Sequence, residues 1–152
     1  MQPYLFRLEQ TTPPMGEVYS LTLRNDTTDV ARMATWVDNL VPLLRLSAKT
    51  TYALQLCLEE VVVNVVSYAF EPGTRHDVQV VLSREGQTLQ AEITDDGRPF
   101  NPLAQAEPKP PRDLASAQIG GLGLKLVRSF AGSIDYQRCD ATNRLTLTFP
   151  AE

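Results

Sequence analysis

The sequence predicts an α+β fold, a two-layer sandwich in which a mostly antiparallel sheet packs on helices. Two observations carry this. Several short segments alternate apolar and polar residues with period two and are joined by tight turn signals. Between residues 30 and 44, by contrast, apolar residues recur at three-four spacing. Strands that follow one another through turns pair antiparallel, and the helical stretches cover one face of the resulting sheet.

Tyr4 to Leu8 and Glu17 to Leu23 read as strands, separated by the break Thr11-Thr12-Pro13-Pro14-Met15-Gly16. Asn25-Asp26-Thr27-Thr28 offers N-cap residues for a first helix. Its apolar positions Val30, Met33, Ala34, Val37, Leu40, Val41 and Leu44 predict one buried face. Pro42 is expected to kink or end it near the last turn. Ser47 can cap a second helix from Ala48 to about Phe70, although Val61-Val62-Val63 and Val65-Val66 would suit a buried strand in isolation. The helix-favouring run Tyr52 to Glu60 and the length of the segment decide for helix.

From Asp77 the period changes. Val78 to Ser83 alternates, Arg84-Glu85-Gly86-Gln87 turns, and Thr88 to Asp95 returns, an antiparallel hairpin. Residues 101 to 118 hold Pro102, Pro108, Pro110 and Pro111 with few large apolar side chains, and loops of this length are usually functional or disordered. A short helix from about Gly121 to Ala131 follows, with Leu122, Leu126, Val127 and Phe130 expected on its core face; Ser133 to Arg138 and Leu145 to Phe149 close the chain as a second hairpin.

The 152 residues fit one domain with a real core; 43% are hydrophobic and 21% charged. With 14 Lys plus Arg against 18 Asp plus Glu, net charge −4 and no basic block, no nucleic-acid track is expected. No apolar run approaches the roughly 18 residues that span a bilayer, and no leader pattern opens the chain, so the expected location is cytoplasmic without membrane contact. Cys57 and Cys139 lack metal-type spacing and are expected as buried free thiols, a disulfide being the minor alternative. The lone histidine, His76, lies in an expected turn beside Gly73, Thr74, Arg75 and Asp77, which argues against a zinc cluster and against a Ser-His-Asp hydrolase.

Three segments carry candidate chemistry. Asp95 extends the apolar row Leu89, Ala91, Ile93, so its carboxylate points toward the core side, where it is costly unless a donor such as an adenine amino group meets it. Glu60 and Asn64, four apart, share one face of the second helix. They are either an exposed pair on a helix edge or a functional pair in an apolar segment, a carboxylate able to take a hydroxyl proton and an amide oxygen able to bind Mg²⁺. Gly120-Gly121-Leu122-Gly123-Leu124 opens the third helix, where helix amides favour phosphate, though a tight turn alone would also explain it.

In this order the three resemble a known set. Leu58 to Phe70 resembles the N box of the GHKL ATPase superfamily, Asp95 to Pro102 its G1 box, and Gly120 to Val127 its G2 box. The variant most similar to all three is the anti-sigma-factor type of serine/threonine protein kinase, over roughly residues 17 to 150. The resemblance implies the GHKL (Bergerat) ATP-binding fold, with ATP and Mg²⁺ as cofactors and residues 101 to 119 as the ATP lid of a single kinase-like domain spanning 1 to 152. It implies that Asp95 accepts from the adenine amino group, with Gly97 shaping the loop beneath the base. Asn64 would coordinate Mg²⁺, Glu60 would act as catalytic base on a serine hydroxyl, and Gly121 and Gly123 would contact phosphate, with Leu122 and Leu124 in the same nucleotide-binding segment. The family often has His at the position of Tyr68. The second G1 glycine of many members is Pro99 here, as is common in this branch. A Thr on the late strand often assists adenine; here Asn143 shares the inward row with Leu145 and Leu147 while Thr146 faces away, so Asn143 is the favoured assistant. Lys109, Arg112 and Lys125 are candidates for neutralising the γ-phosphate, solvated surface charge being the plain alternative.

The implied function is an ATP-dependent serine kinase and anti-sigma-type regulator acting on a STAS-type antagonist, with a sigma factor as alternating partner and homodimerisation common among the family. The competing readings are a non-catalytic ATP-gated partner-switch module and the catalytic piece of a histidine kinase, the latter disfavoured because His76 is not on a dimerising helix.

Overall fold

A computed structural model describes residues 16–101 and 121–151. The elements run β1 (Val18–Arg24), α1 (Thr27–Leu44), α2 (Ala48–Tyr68), β2 (Asp77–Glu85), β3 (Thr88–Asp95), α3 (Gly121–Phe130), β4 (Ser133–Cys139) and β5 (Thr142–Pro150). The expected strand Tyr4 to Leu8 and, apart from Asn101, the expected lid 101–119 lie outside the described residues. Lys109 and Arg112 lie there too.

The five strands form one sheet in the order β1-β2-β3-β5-β4, every neighbouring pair antiparallel. The α+β sandwich expected from the sequence is the observed fold. The inward rows Leu89-Ala91-Ile93-Asp95 and Asn143-Leu145-Leu147-Phe149 are buried without a break, as strict alternation requires. Strand β2 runs on through Glu85, so the predicted four-residue turn shrinks to Gly86-Gln87, with Gly86 at φ +57° supplying the left-handed step a two-residue hairpin needs.

Helix α1 begins where the sequence placed its cap: the Asp26 side chain accepts from the Thr28 amide. It continues two residues past Pro42 and ends with Arg45 at φ 52°. The freed carbonyls at that end are taken by Arg84, whose Nη1 donates to Leu44 O at 2.6 Å and Arg45 O at 3.0 Å. Met33, Val37, Leu40 and Leu44 form the buried stripe, whereas Ala34, expected on that face, is exposed. Helix α2 is capped by Ser47, which accepts from the Thr50 amide at 3.1 Å, and Thr50 in turn donates to Pro150 O at 2.7 Å, tying the helix start to the end of β5.

The β-branched run of α2 is helical because its helical face is what the sheet needs. Leu54, Cys57, Leu58, Val61, Val62 and Val65 recur at three-four spacing and are buried, and this packing outweighs a local propensity deficit of a few tenths of a kcal/mol per residue. Helix α3 corrects one expectation: Val127 is buried, but Leu126 and Phe130 are exposed, because α3 packs chiefly against α2 and only part of its apolar face is covered, with Phe130 meeting Tyr52 edge to face. A second correction concerns the cysteines. Cys57 is buried and its thiol is pushed up to about 11 by burial and then by the nearby Glu60 charge, but Cys139 is exposed, at the β4–β5 turn; both are free thiols.

Leu54, fully buried between α2 and its neighbours, measures the packing. Leu54→Ala is expected to lower unfolding free energy by about 2–5 kcal/mol, and Ser47→Ala by about 1 kcal/mol, read from denaturant melts.

Candidate functional site

The sheet register places three polar residues side by side. Asp95 on β3 pairs with Asn143 on β5, and Asn143 pairs with Arg138 on β4. All three occupy inward positions at the end of the strands, where the rows behind them, Ile93-Leu145-Tyr136 and Ala91-Leu147-Ile134, are apolar apart from the Tyr136 hydroxyl. Asp95 and Asn143 are each only 4% exposed.

Asp95 is met by donors on one oxygen. Its Oδ1 accepts from the Gly97 amide at 2.9 Å and from Asn143 Nδ2 at 3.0 Å. Oδ2 has no hydrogen-bond partner among the described residues. Burial pushes the Asp95 carboxyl above its ordinary range; the hydrogen bonds from Asn143 and Gly97 pull it back, Asp96 raises it and Arg138 lowers it. Gly97 is required by closeness rather than by φ: a Cβ there would lie 2.5 Å from Ala69 O, 2.6 Å from Ala69 Cβ and 2.8 Å from Asp95 Oδ1. The turn after β3 is thereby pressed onto the C-terminus of α2, and Arg98 N donates to Ala69 O at 2.8 Å.

A small cavity opens beside this row, lined by Val61, Asn64, Val65 and Ala69 of the α2 side, Ile93 and Asp95, Phe100, Leu124 of α3, Tyr136, Asn143 and Leu145. Apolar walls around a carboxylate, an amide and a phenol suit a flat, mostly apolar group with a polar edge. Asn64 is 7% exposed, and its side chain has no hydrogen-bond partner among the described residues. One turn earlier Glu60 is half-buried, so the Glu60–Asn64 pair is not the exposed edge that one reading allowed. The Glu60 carboxylate lies directly against Gly123, where a Cβ would overlap it. Gly121 and Leu122 stand in the first turn of α3, whose N-terminal end therefore faces the Glu60–Asn64 face of α2; Gly123 is buried and Leu124 half-buried. Lys125 is exposed.

Sequence reading missed Tyr136 and Arg138. The Tyr136 hydroxyl donates to Asn143 Oδ1 at 2.6 Å, and Arg138 Nη1 donates to Asn143 Oδ1 at 3.0 Å and to Gly97 O at 2.7 Å. Their signal was present: Arg138 breaks the inward row Ile134-Tyr136 as Asp95 breaks its own, and a cation in such a row calls for an acceptor alongside. His76 does lie outside the regular elements. It stacks on Phe70 with ring centroids 4.5 Å apart and contacts Asp96 Oδ1 at 3.0 Å, bracing the turn from outside.

A sheet covered on one face by helices, with a buried aspartate at a strand end and a glycine-started helix across the cavity, defines a nucleotide-binding ATPase domain. Residues 23–149 match the family described as the histidine kinase-like ATPase domain, and the chain belongs to that family. Within it the chain is of the anti-sigma-factor serine/threonine kinase type. It is 33% identical over 135 residues to serine/threonine-protein kinase BtrW of Bordetella bronchiseptica, an alignment covering 84% of this chain and 95% of that protein. The structure of the RsbU and RsbW domains of a Mycobacterium tuberculosis protein superposes with a TM-score of 0.64 at 12% identity, over 88% of this chain and 32% of the other. The histidine kinase domain of the Erythrobacter litoralis EL346 blue-light activated histidine kinase gives 0.51 at 19%, over 82% and 60%. This chain thus spans less than two thirds of either solved chain, and at these identities the likeness is one of fold. No helix among the described residues is long and apolar enough to cross a membrane.

The environment of Asp95 sets a test. Its raised folded pKa means that its contribution to stability is complete below the ordinary carboxylate value of 3.8 and is lost as pH rises through the folded value. An Asn at this position can still accept both existing hydrogen bonds on Oδ1 without a buried charge. Asp95→Asn is therefore expected to melt no lower than the native chain at neutral pH, with a flatter pH dependence, while affinity for adenine nucleotides falls by at least about a hundredfold. Thermal melts across pH and calorimetric ADP titration read both.

Proposed function

We propose that the chain is an ATP-dependent serine protein kinase that binds and phosphorylates a STAS-type antagonist, as the anti-sigma arm of a cytoplasmic partner switch controlling transcription. The observation that carries this reading is the placement of Glu60: half-buried, one turn from Asn64, and seated against Gly123 at the start of α3. The 33% identity to a protein named serine/threonine-protein kinase over nearly its whole length supports phosphoryl transfer to a hydroxyl.

In this reading Asp95 accepts from the adenine amino group through Oδ2, the oxygen its neighbours leave free, while Gly97 lets the turn lie flat beneath the base. The apolar walls Val61, Ile93 and Leu145 exclude water from the ring. The fit test for Mg²⁺ rests on chemistry: an amide oxygen lining the cavity, with no hydrogen-bond partner among the described residues, suits a hard cation whose other ligands are phosphate oxygens and water. Among the described residues no three His, Cys, Asp or Glu side chains gather as a metal cage, so Asn64 would be the protein ligand. Bound Mg·ATP would supply the transferable phosphoryl group. The first-turn amides of α3, at Gly121 to Leu124, face the phosphate side with the positive end of the helix. Glu60 takes the proton from the attacking serine hydroxyl. Phosphoryl transfer consists mostly of positioning and charge neutralisation, so this set is chemically sufficient. The remaining charge on the phosphates falls to a basic residue, for which Lys125, Lys109 and Arg112 are the candidates.

The alternative, an ATP-gated module without catalysis, draws on the exposed Tyr68 at the end of α2, where the family often has His. Incubating the chain with Mg·ATP and its STAS-type partner is expected to add one phosphoryl group to the partner by intact mass. Glu60→Ala is expected to lower that rate by at least about a hundredfold with ADP affinity retained. A complex that forms on nucleotide but yields no phosphoserine in the native chain would establish the module instead. Gly123→Ala, whose methyl displaces the Glu60 carboxylate, is expected to reduce turnover by about tenfold or more without changing affinity for adenosine, which reports on the base cavity alone.

A further inference from the structure

The row Asp95-Asn143-Arg138 has a polarity as well as a position. A side-chain amide can be turned either way, and its neighbours decide which. Arg138 carries only donors, and its Nη1 lies 3.0 Å from Asn143 Oδ1. The Tyr136 hydroxyl reaches the same oxygen at 2.6 Å, and the Phe100 amide approaches it at 3.4 Å. Turning the amide over would set Nδ2 against the guanidinium, donor against donor. Oδ1 therefore faces β4, and Nδ2 must face Asp95 Oδ1 at 3.0 Å and Arg98 O at 2.8 Å. With the Gly97 amide also donating at 2.9 Å, Asp95 Oδ1 is committed as an acceptor.

We infer that Tyr136 and Arg138 are positioning residues for base selection: by locking the Asn143 amide they hold Asp95 as an acceptor, so that the cavity takes a 6-amino purine and rejects a 6-oxo purine. The inference rests on the nucleotide reading above and assigns it a selectivity device. A 6-oxo group would meet the free Oδ2 acceptor to acceptor, and a site built to receive a hydrogen bond discriminates strongly against a partner that cannot give one. Only a protonated Asp95 could donate to that oxygen. Protonation is opposed by the hydrogen bonds of Asn143 and Gly97 and by the Arg138 charge, and favoured by burial and by Asp96. The other groups around the site leave this balance to β4. Asp96 is held from outside by His76 at 3.0 Å, and Arg98 is engaged with Phe70 O and Glu71, each at 3.4 Å. From α2 the cavity receives only Val61, Asn64, Val65 and neighbouring Ala69, with Glu60 one turn beyond. Removing Arg138 frees the amide to turn and raises the fraction of Asp95 that is protonated, and both changes admit a 6-oxo base.

The test is calorimetric binding of ADP and IDP to the full chain, native and as Arg138→Met, Tyr136→Phe and Arg138→Lys, over a pH series. The native chain is expected to prefer ADP, with the preference falling as pH drops toward Asp95 protonation. Arg138→Met is expected to reduce the ADP-to-IDP preference by about tenfold or more and to move its fall to higher pH. Tyr136→Phe should act in the same sense, more weakly, and Arg138→Lys should recover part of the preference. If Arg138→Met fails to fold by thermal melt, Tyr136→Phe, which removes one hydroxyl, carries the measurement. Equal weakening of both nucleotides, with ratio and pH midpoint unmoved, would mean a structural role and overturn the inference. Equal affinity of the native chain for ADP and IDP overturns the inference alone, whereas a native chain that binds neither overturns the nucleotide reading and the inference with it.

Discussion

A carboxylate at the end of a buried strand row is the constraint on which the site depends. Asp95 cannot be moved to the solvent side without a one-residue slip of β3, which would turn Leu89, Ala91 and Ile93 outward with it. The core thus pins the carboxylate, and the surroundings must then make it tolerable. They do so through the sheet itself: β5 presents Asn143 at the directly paired position, and β4 presents Arg138 one strand further. A charge that would be prohibitive alone becomes one member of a row in which every inner atom is met and one carboxylate oxygen is left over. That leftover oxygen is the acceptor that the proposed adenine contact would use.

The facing layer meets the same constraint from the other side. α2 presents a mostly apolar face, Ala53, Leu54, Cys57, Leu58, Val61, Val62 and Val65, and interrupts it near its end with the buried Asn64. The raised carboxyl pKa of Asp95 is a cost that the packing of the surrounding core offsets. The closeness of Gly97 to Ala69 and of Gly123 to Glu60 belongs to the same economy of space. At both points the backbone comes within reach of a carboxylate because no side chain stands between. The membership of this chain in the histidine kinase-like ATPase family fits that division of labour between a rigid apolar layer and a few exposed polar edges.

Where reading the chain fell short, the reason is a contact between elements distant in sequence. Leu126 and Phe130 have the spacing of a core stripe, yet α3 packs on α2 rather than on the sheet, and only part of its apolar face finds cover. Cys139 was expected buried, but the parity of β4, with Ile134, Tyr136 and Arg138 inward, places it on the outward face. Arg84 was read as a turn residue, and its guanidinium instead closes the end of α1, 40 residues earlier in the chain.

By itself the sequence determined the elements among the described residues, their order and the polar residues that break apolar rows, because period-two alternation, three-four spacing, caps and glycines are local properties of the chain. It also placed Asp95, Asn143, Glu60 and Asn64 on the correct faces, since a face follows from parity within one element. Which faces meet was decided only by the tertiary structure. Strand order and register brought Arg138 and Tyr136 onto Asn143 and set the direction of its amide. The crossing of α2 and α3 set Glu60 against Gly123. These are pairings across 5 to 63 residues of chain, with hydrogen-bond directions that depend on which donors arrive together, and no periodicity encodes them.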